Sequence, residues 1–217
     1  MKELLYKELK LATHPTTYLF LFLGTMLLIP SYPYYVAFIY TLLGIFFIFL
    51  TGRENKDILY TVSLPVRKRD VVKSRCLLVA LIEIAQIICS IPFAIIGVRI
   101  NPNPMGNPVG IEANAAFFGL VLIMFALFNA IFLPMFYKSP TKVGTPLIAG
   151  SIAVTLYIVA AEAAVQAIGL LKTSLDTTNP AMLPRQLPVL VAGMIVFALG
   201  LWLTYRRSAQ NFEQVDL

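Results

Sequence analysis

Six long apolar runs dominate this chain, and they leave it little choice of surroundings. They cover residues 16–30, 34–51, 76–98, 113–137, 143–171 and 188–205. A helix needs about 20 mainly apolar residues to cross the hydrocarbon of a bilayer. Six such runs in 217 residues leave no stretch long enough for a separate soluble domain. Composition agrees: 59% of residues are hydrophobic and 13% are charged, against about 25% charged in soluble domains. The expected fold class is therefore an all-α membrane protein, a single unit over residues 1–217 with six transmembrane helices. The first run is short at fifteen residues, so its ends must extend or the bilayer must thin around it. The fifth, at twenty-nine, is longer than an upright helix requires and is expected to tilt, break or protrude. Pro30 and Pro33 bracket a tight turn between the first two runs.

Lys and Arg set the direction of such a bundle, because they are retained on the cytoplasmic side. If the N-terminus lies inside, fourteen of the seventeen basic residues fall on inner segments. Only Arg99, Lys172 and Arg185 fall outside. Both termini are thus expected in the cytoplasm. Residues 1–14 carry too much charge for a signal peptide, so the first run is expected to be retained. Leu5, Leu9 and Ala12 share a helical stripe there, with Leu4 beside it. That suits an interfacial amphipathic helix, with a short solvated helix as the plainer alternative.

Residues 53–75 hold seven basic residues, more than any other inner segment. Positive-inside charge resting on anionic lipid accounts for their number, but not for their order. A short helical stretch, DILYTV, meets Ser63-Leu64-Pro65, and a basic run then leads unbroken into the third apolar run. In detail, KDILYTVSLPVRKRDVVKSRCLL resembles the loop of ABC transporter permeases of the type 2 exporter class, especially small bacterial ones. The match rests on Leu64, Pro65, Arg67, Lys68, Asp70, Val71, Val72 and Lys73, and Cys76 stands where an aromatic residue is common. The resemblance extends to the whole plan of six spans, cytoplasmic ends and a basic-acidic tail. It implies a coupling loop that docks on a separate ABC ATPase subunit through Asp57, Ile58, Leu59, Tyr60, Ser63, Leu64, Pro65, Arg67 and Lys68. It also implies a second permease chain, identical or related, in a bacterial cytoplasmic membrane. The substrate would be an amphipathic peptide, antimicrobial or lipid-like molecule, exported at the expense of ATP and Mg held by the partner.

The chain's own chemistry is sparse. None of its twelve glycines is followed by lysine, so no phosphate loop exists, and neither H-E-x-x-H nor G-x-S-x-G occurs. No cofactor, catalytic residue or metal site is expected, and the charge distribution points to topology rather than nucleic acid. Cys76 and Cys89 are thirteen residues apart on one helix, about 20 Å, too far to pair. The sole histidine, His14, reads as a structural or surface residue. Two carboxylates fall inside apolar runs: Glu83 with Gln86 near it, and Glu162 with Gln166 one turn on. Such groups line a translocation path or bind helices together, and both readings stand. Their different depths argue against one ion-coupling pair. An ion- or proton-coupled transporter using Glu83 or Glu162 is the competing function, and a non-transporting scaffold or immunity protein is another. Ala126/Ala130, Ala160/Ala164 and Ala163/Ala167 are candidate close helix contacts. Gly44 in the second span, or the fifth span, is a candidate for the contact between permease chains. The run GIFFIFL is expected to face lipid.

Overall fold

The computed structural model describes residues 2–12, 15–100 and 107–215. His14 and most of the first proline-rich outer segment lie outside the described residues. Helix α1 (Lys2–Lys7) widens into a π-helix over Glu8–Ala12. Helix α2 (Pro15–Leu21) tightens into a 3-10 helix over Phe22–Leu28. Then come α3 (Tyr35–Glu54), α4 (Asp57–Ser63), α5 (Lys68–Ile100) and α6 (Ala115–Lys138). Helices α7 (Gly144–Ala167), α8 (Gly169–Leu175) and α9 (Leu183–Glu213) complete the chain, with a 3-10 turn at Pro180–Met182. No strand occurs among the described residues.

Five helices, α3, α5, α6, α7 and α9, are long and apolar enough to cross a membrane. A sixth crossing is reached if Glu3–Lys10 and Pro15–Leu28 count as one span, and these two arms meet at 83°. The second arm has seven α-helical and seven 3-10 residues. At about 1.5 and 2.0 Å per residue it reaches about 24 Å, short of the ~30 Å hydrocarbon core. The tighter winding is one way for so short a run to gain length.

The long fifth run is broken rather than tilted whole. Helix α7 stops at Ala167, Ile168 is extended (φ −99°, ψ 103°), and α8 continues separately. The turn after the first run is as tight as its prolines require, with Ser31 at φ 59°. The third and sixth runs are longer as helices than as apolar segments. Helix α5 starts within the basic stretch, and α9 runs eight residues beyond Tyr205. Both continue through an interior proline, Pro92 and Pro188, as α6 does through Pro134.

Helix α6 is the centre. Phe117, Phe125, Phe128, Phe132 and Phe136 are all fully buried on it. Residues 44–50, GIFFIFL, turn one side inward instead of facing lipid: Ile45, Ile48 and Phe49 are buried, Ile48 beside Leu78 and Ile82 of α5, and the Phe49 ring meets Phe132 and Phe136 at 5.1 and 4.7 Å. A run that is apolar on every side of its helix carries no stripe to reveal which face is inside. Helices α6 and α9 lie side by side and run in the same direction. They touch backbone to backbone, since a Cβ on Gly193 would sit 2.2 Å from the Gly119 carbonyl oxygen. Two turns on, a Cβ on Gly200 would stand 3.1 Å from the Ala126 Cβ, tighter than ordinary contact by a few tenths of an ångström. Gly44 is covered within the chain by Thr17 and Phe20, which removes it from the candidates for a contact between chains. Ala160, Ala163, Ala164 and Ala167 are exposed, so those pairs make no helix contact within the chain. The reason is that α7 packs on α6 by other positions, such as Gly150 against Phe128 and the Tyr157 hydroxyl donating to the Leu120 carbonyl (2.9 Å).

Candidate functional site

The basic segment folds into a short helix set at a sharp corner. Helix α3 ends at Glu54, and Lys56 takes the left-handed conformation (φ 51°, ψ 31°) that turns the chain into α4. Leu64 is extended, as a residue before proline prefers, so Pro65 ends α4. Helix α5 then begins at Lys68.

What holds α4 is a cluster of four charges under it. The Arg75 guanidinium donates to Glu8 (Nε to Oε2, 2.6 Å) and to Asp57 (Nη2 to Oδ2, 2.5 Å). Lys7 donates to Asp57 Oδ1 (2.5 Å), to Glu8 Oε1 (3.3 Å) and to the Thr61 hydroxyl (2.6 Å). The Thr61 hydroxyl in turn donates to the Asp57 carbonyl one helical turn back (2.7 Å). Glu8 is 1% exposed and Arg75 is 4% exposed. Charges so buried persist only when paired and hydrogen-bonded. Here two cations meet two carboxylates, and the cluster is neutral. The guanidinium lies against α3 beside Gly52, where it also sits 5.4 Å from the centre of the Phe49 ring. Burial pushes the Asp57 carboxyl upward, but Arg75 and Lys7 together hold it below its ordinary value.

The cluster revises the expected stripe of the N-terminal helix. Glu8 points inward to Arg75, whereas Leu9 and Tyr6 point outward. Helical spacing alone put Glu8 on the polar face, because spacing does not see a buried cation.

The proposed docking residues divide into two groups. Leu59 (47% exposed), Tyr60 (64%), Ser63, Leu64, Pro65 and Arg67 face away from the bundle. Asp57 and Ile58 turn toward it, Asp57 into the charge cluster and Ile58 against the core. Lys68 is turned toward the chain's end: it donates to the Val215 carbonyl (2.7 Å) and lies 5.8 Å from the Phe212 ring centre. Beside it Arg69 grips Glu213 with two hydrogen bonds of 2.5 and 2.9 Å. The loop is therefore braced on one side by α1 and on the other by the end of α9.

The two membrane carboxylates lie in unrelated settings. Glu83 is fully buried, and both its oxygens accept from the Asn129 amide of α6 at 2.9 Å. Gln86, also buried, donates to Ser90 on the same helix (3.3 Å). Glu162 sits at the other end of the bundle, where it accepts from the Ile111 backbone N–H (3.2 Å), while Gln166 donates to Asp176 (3.0 Å). Glu83 thus ties α5 to α6, and Glu162 ties α7 to the segment before α6. The two are not brought together. Among the described residues no group of acids, His and Cys is arranged to hold a metal, and both cysteines are free.

Sequence reasoning passed over Lys7, Glu8, Thr61 and Asn129. A signal existed for Asn129, the one strongly polar side chain in α6 before its terminal Lys138. Arg75 was counted as topology charge alone, although it stands among Val71, Val72, Cys76 and Leu78, all of them buried.

Comparison with known proteins adds one finding. No curated protein and no solved structure matches the chain. A protein-family profile described as "ABC-2 family transporter protein" matches residues 3–211, nearly the whole length. With its multi-pass helical body and a braced loop helix, the chain belongs to the ABC-2 transporter family, as a membrane permease subunit that partners an ABC ATPase.

Proposed function

We propose that this permease is the membrane half of an ATP-driven exporter in a bacterial cytoplasmic membrane, and that α4 is the helix through which ATPase movement enters it. In this reading two permease chains stand over two ATPase chains, which hold the ATP and Mg. Substrates are amphipathic: peptides, antimicrobials or lipid-like molecules. The observation that carries the reading is the two-sided character of α4. Its outer side offers Leu59, Tyr60 and Leu64 as exposed apolar side chains. Its inner side is fixed by charge-assisted hydrogen bonds to α1 and α5. A helix that must pass on a push needs such a rigid back and an adhesive front.

The test separates docking from mere positive charge. Interfaces concentrate their energy in a few apolar anchors, each worth on the order of 2 kcal/mol on truncation. Leu59→Ala with Tyr60→Ala is expected to reduce ATPase copurification by more than tenfold, an estimate of about two such anchors. Membrane insertion stays normal. Arg67→Gln, which removes charge without an anchor, has the milder effect on copurification. Full ATPase retention in the Leu59/Tyr60 variant would refute α4 as the docking helix.

A further inference from the structure

At the end of the bundle opposite α4, the last turns of α5 and the starts of α6 and α9 enclose a cavity of about 330 Å³. Its walls are mostly apolar and include Ile95, Val98 and Leu183, each of which is also exposed at the surface of the bundle. One ionic group reaches it, Arg99. Among the described residues no carboxylate lines the cavity. Residues 100–108, which follow Arg99, contain no acid at all. The neighbouring amides are already committed: Asn114 donates to the Leu175 and Thr177 carbonyls, and Gln186 donates to Ser174 and Thr177. The polar groups left to meet a ligand are the Arg99 guanidinium, the Thr178 hydroxyl and the Asn179 amide NH2, whose oxygen already accepts from the Ala181 N–H. All three can donate, and Arg cannot accept.

An apolar groove open at the surface of the bundle with a cation at its mouth has the shape of an amphiphile's site. Arg99 is also one of three basic residues outside the positive-inside pattern, a placement that topology does not favour. We propose that this cavity binds a membrane phospholipid with an anionic headgroup. The phosphate lies on Arg99 and Thr178, and an acyl chain lies along Ile95, Val98 and Leu183. Guanidinium groups pair well with phosphate through two parallel N–H bonds. The orientation in the exporter reading would put this lipid in the outer leaflet; the phosphate chemistry does not rest on that reading.

The experiment titrates phosphatidylglycerol into delipidated, detergent-purified permease and counts bound lipid by native mass spectrometry. Arg99→Gln is expected to weaken binding about tenfold, the effect of one lost charge-assisted contact. Arg99→Lys, which keeps the charge, loses less. Arg185→Gln, an exposed arginine outside the cavity, leaves binding unchanged. Inorganic phosphate in excess fails to displace the lipid, because it lacks the acyl contacts. Unaltered binding by Arg99→Gln overturns the site, as does an equal loss in Arg185→Gln. Displacement by phosphate overturns the lipid as its occupant. None of these readings involves ATPase retention, so failure here leaves the docking helix to its own test.

Discussion

A guanidinium 4% exposed has no water to fall back on, and this makes Arg75 the most consequential single residue in the chain. Removing one partner of a buried ion pair costs about 3–5 kcal/mol, because the other is left charged and dry. Arg75→Met is therefore expected to lower stability by about 3 kcal/mol or more, read as the unfolding midpoint in detergent. Arg75→Lys recovers little, since an ammonium cannot span Glu8 and Asp57 with a planar fork. Wild-type stability in Arg75→Met would remove the cluster as the brace of α4. By contrast, Arg69 and Glu213 are 61% and 39% exposed, and such surface pairs are worth about 0–1 kcal/mol. The cluster also sets a pH response. Asp57 is held below its ordinary value of 3.8, so its stabilising contribution is complete above that pH. It is lost as pH falls through the lower folded value. The brace is expected to be constant between pH 5 and 8 (roughly the physiological window) and to fail only in strong acid. A change in the midpoint of Asp57→Asn relative to wild type within that window would contradict this.

At the scale of elements, two contacts set how the helices meet, and they differ in kind. Where α6 crosses α9, the fit is steric. A methyl group on Gly193 would stand 2.2 Å from the Gly119 oxygen, whereas one on Gly200 would stand 3.1 Å from the Ala126 Cβ. The first overlap needs the helices to part by most of an ångström, the second by only a few tenths. Gly193→Ala is expected to cost about 3 kcal/mol and to shift the protein into aggregate on size exclusion, while Gly200→Ala is tolerated. Equal behaviour of the two would mean that α9 slides freely on α6. Where α5 meets α6, the contact is polar. Asn129→Leu strips Glu83 of its donor, a loss of about 1–3 kcal/mol. Replacing both partners, with Glu83→Met added, is expected to recover most of it, as paired removal of buried polar groups does. A double variant worse than the single one in thermal unfolding would show that Glu83 has a role beyond this bond.

For the molecule as a whole, the exporter reading requires the α4 end inside and the α8 end outside. Ser63 and Thr173 are exposed at these two ends. Single cysteines at each, in a background lacking Cys76 and Cys89, report the orientation. An impermeant maleimide is expected to label Thr173→Cys in intact cells, and Ser63→Cys only after permeabilisation. The reverse pattern would invert the topology and place α4 out of reach of any ATPase. The same picture assigns surfaces. Helices α7 and α9 bury only a small share of their most apolar stretches within the chain, and α6 buries most of its own. In the proposed exporter, the second permease chain and the lipid would therefore share chiefly α7 and α9, whereas α6 is closed to both.

Amino-acid order by itself was enough to establish membrane crossing, the proline-ended loop helix and the helical entry of basic residues into α5. Each depends on local rules: apolar length, the angles proline allows, and the exclusion of charge from hydrocarbon. It also separated Glu83 from Glu162, since depth follows from position along a helix. Tertiary structure alone decided which face of each helix is inside. In α3 and α6 nearly every residue is apolar, so the pattern carries no direction, and Ile45, Ile48 and Phe49 of GIFFIFL proved to be core. Tertiary structure alone also joined Glu8 to Arg75, 67 positions apart in the chain. A pair at such separation leaves no periodic trace in sequence, because its energy exists only once α1, α4 and α5 have closed over it.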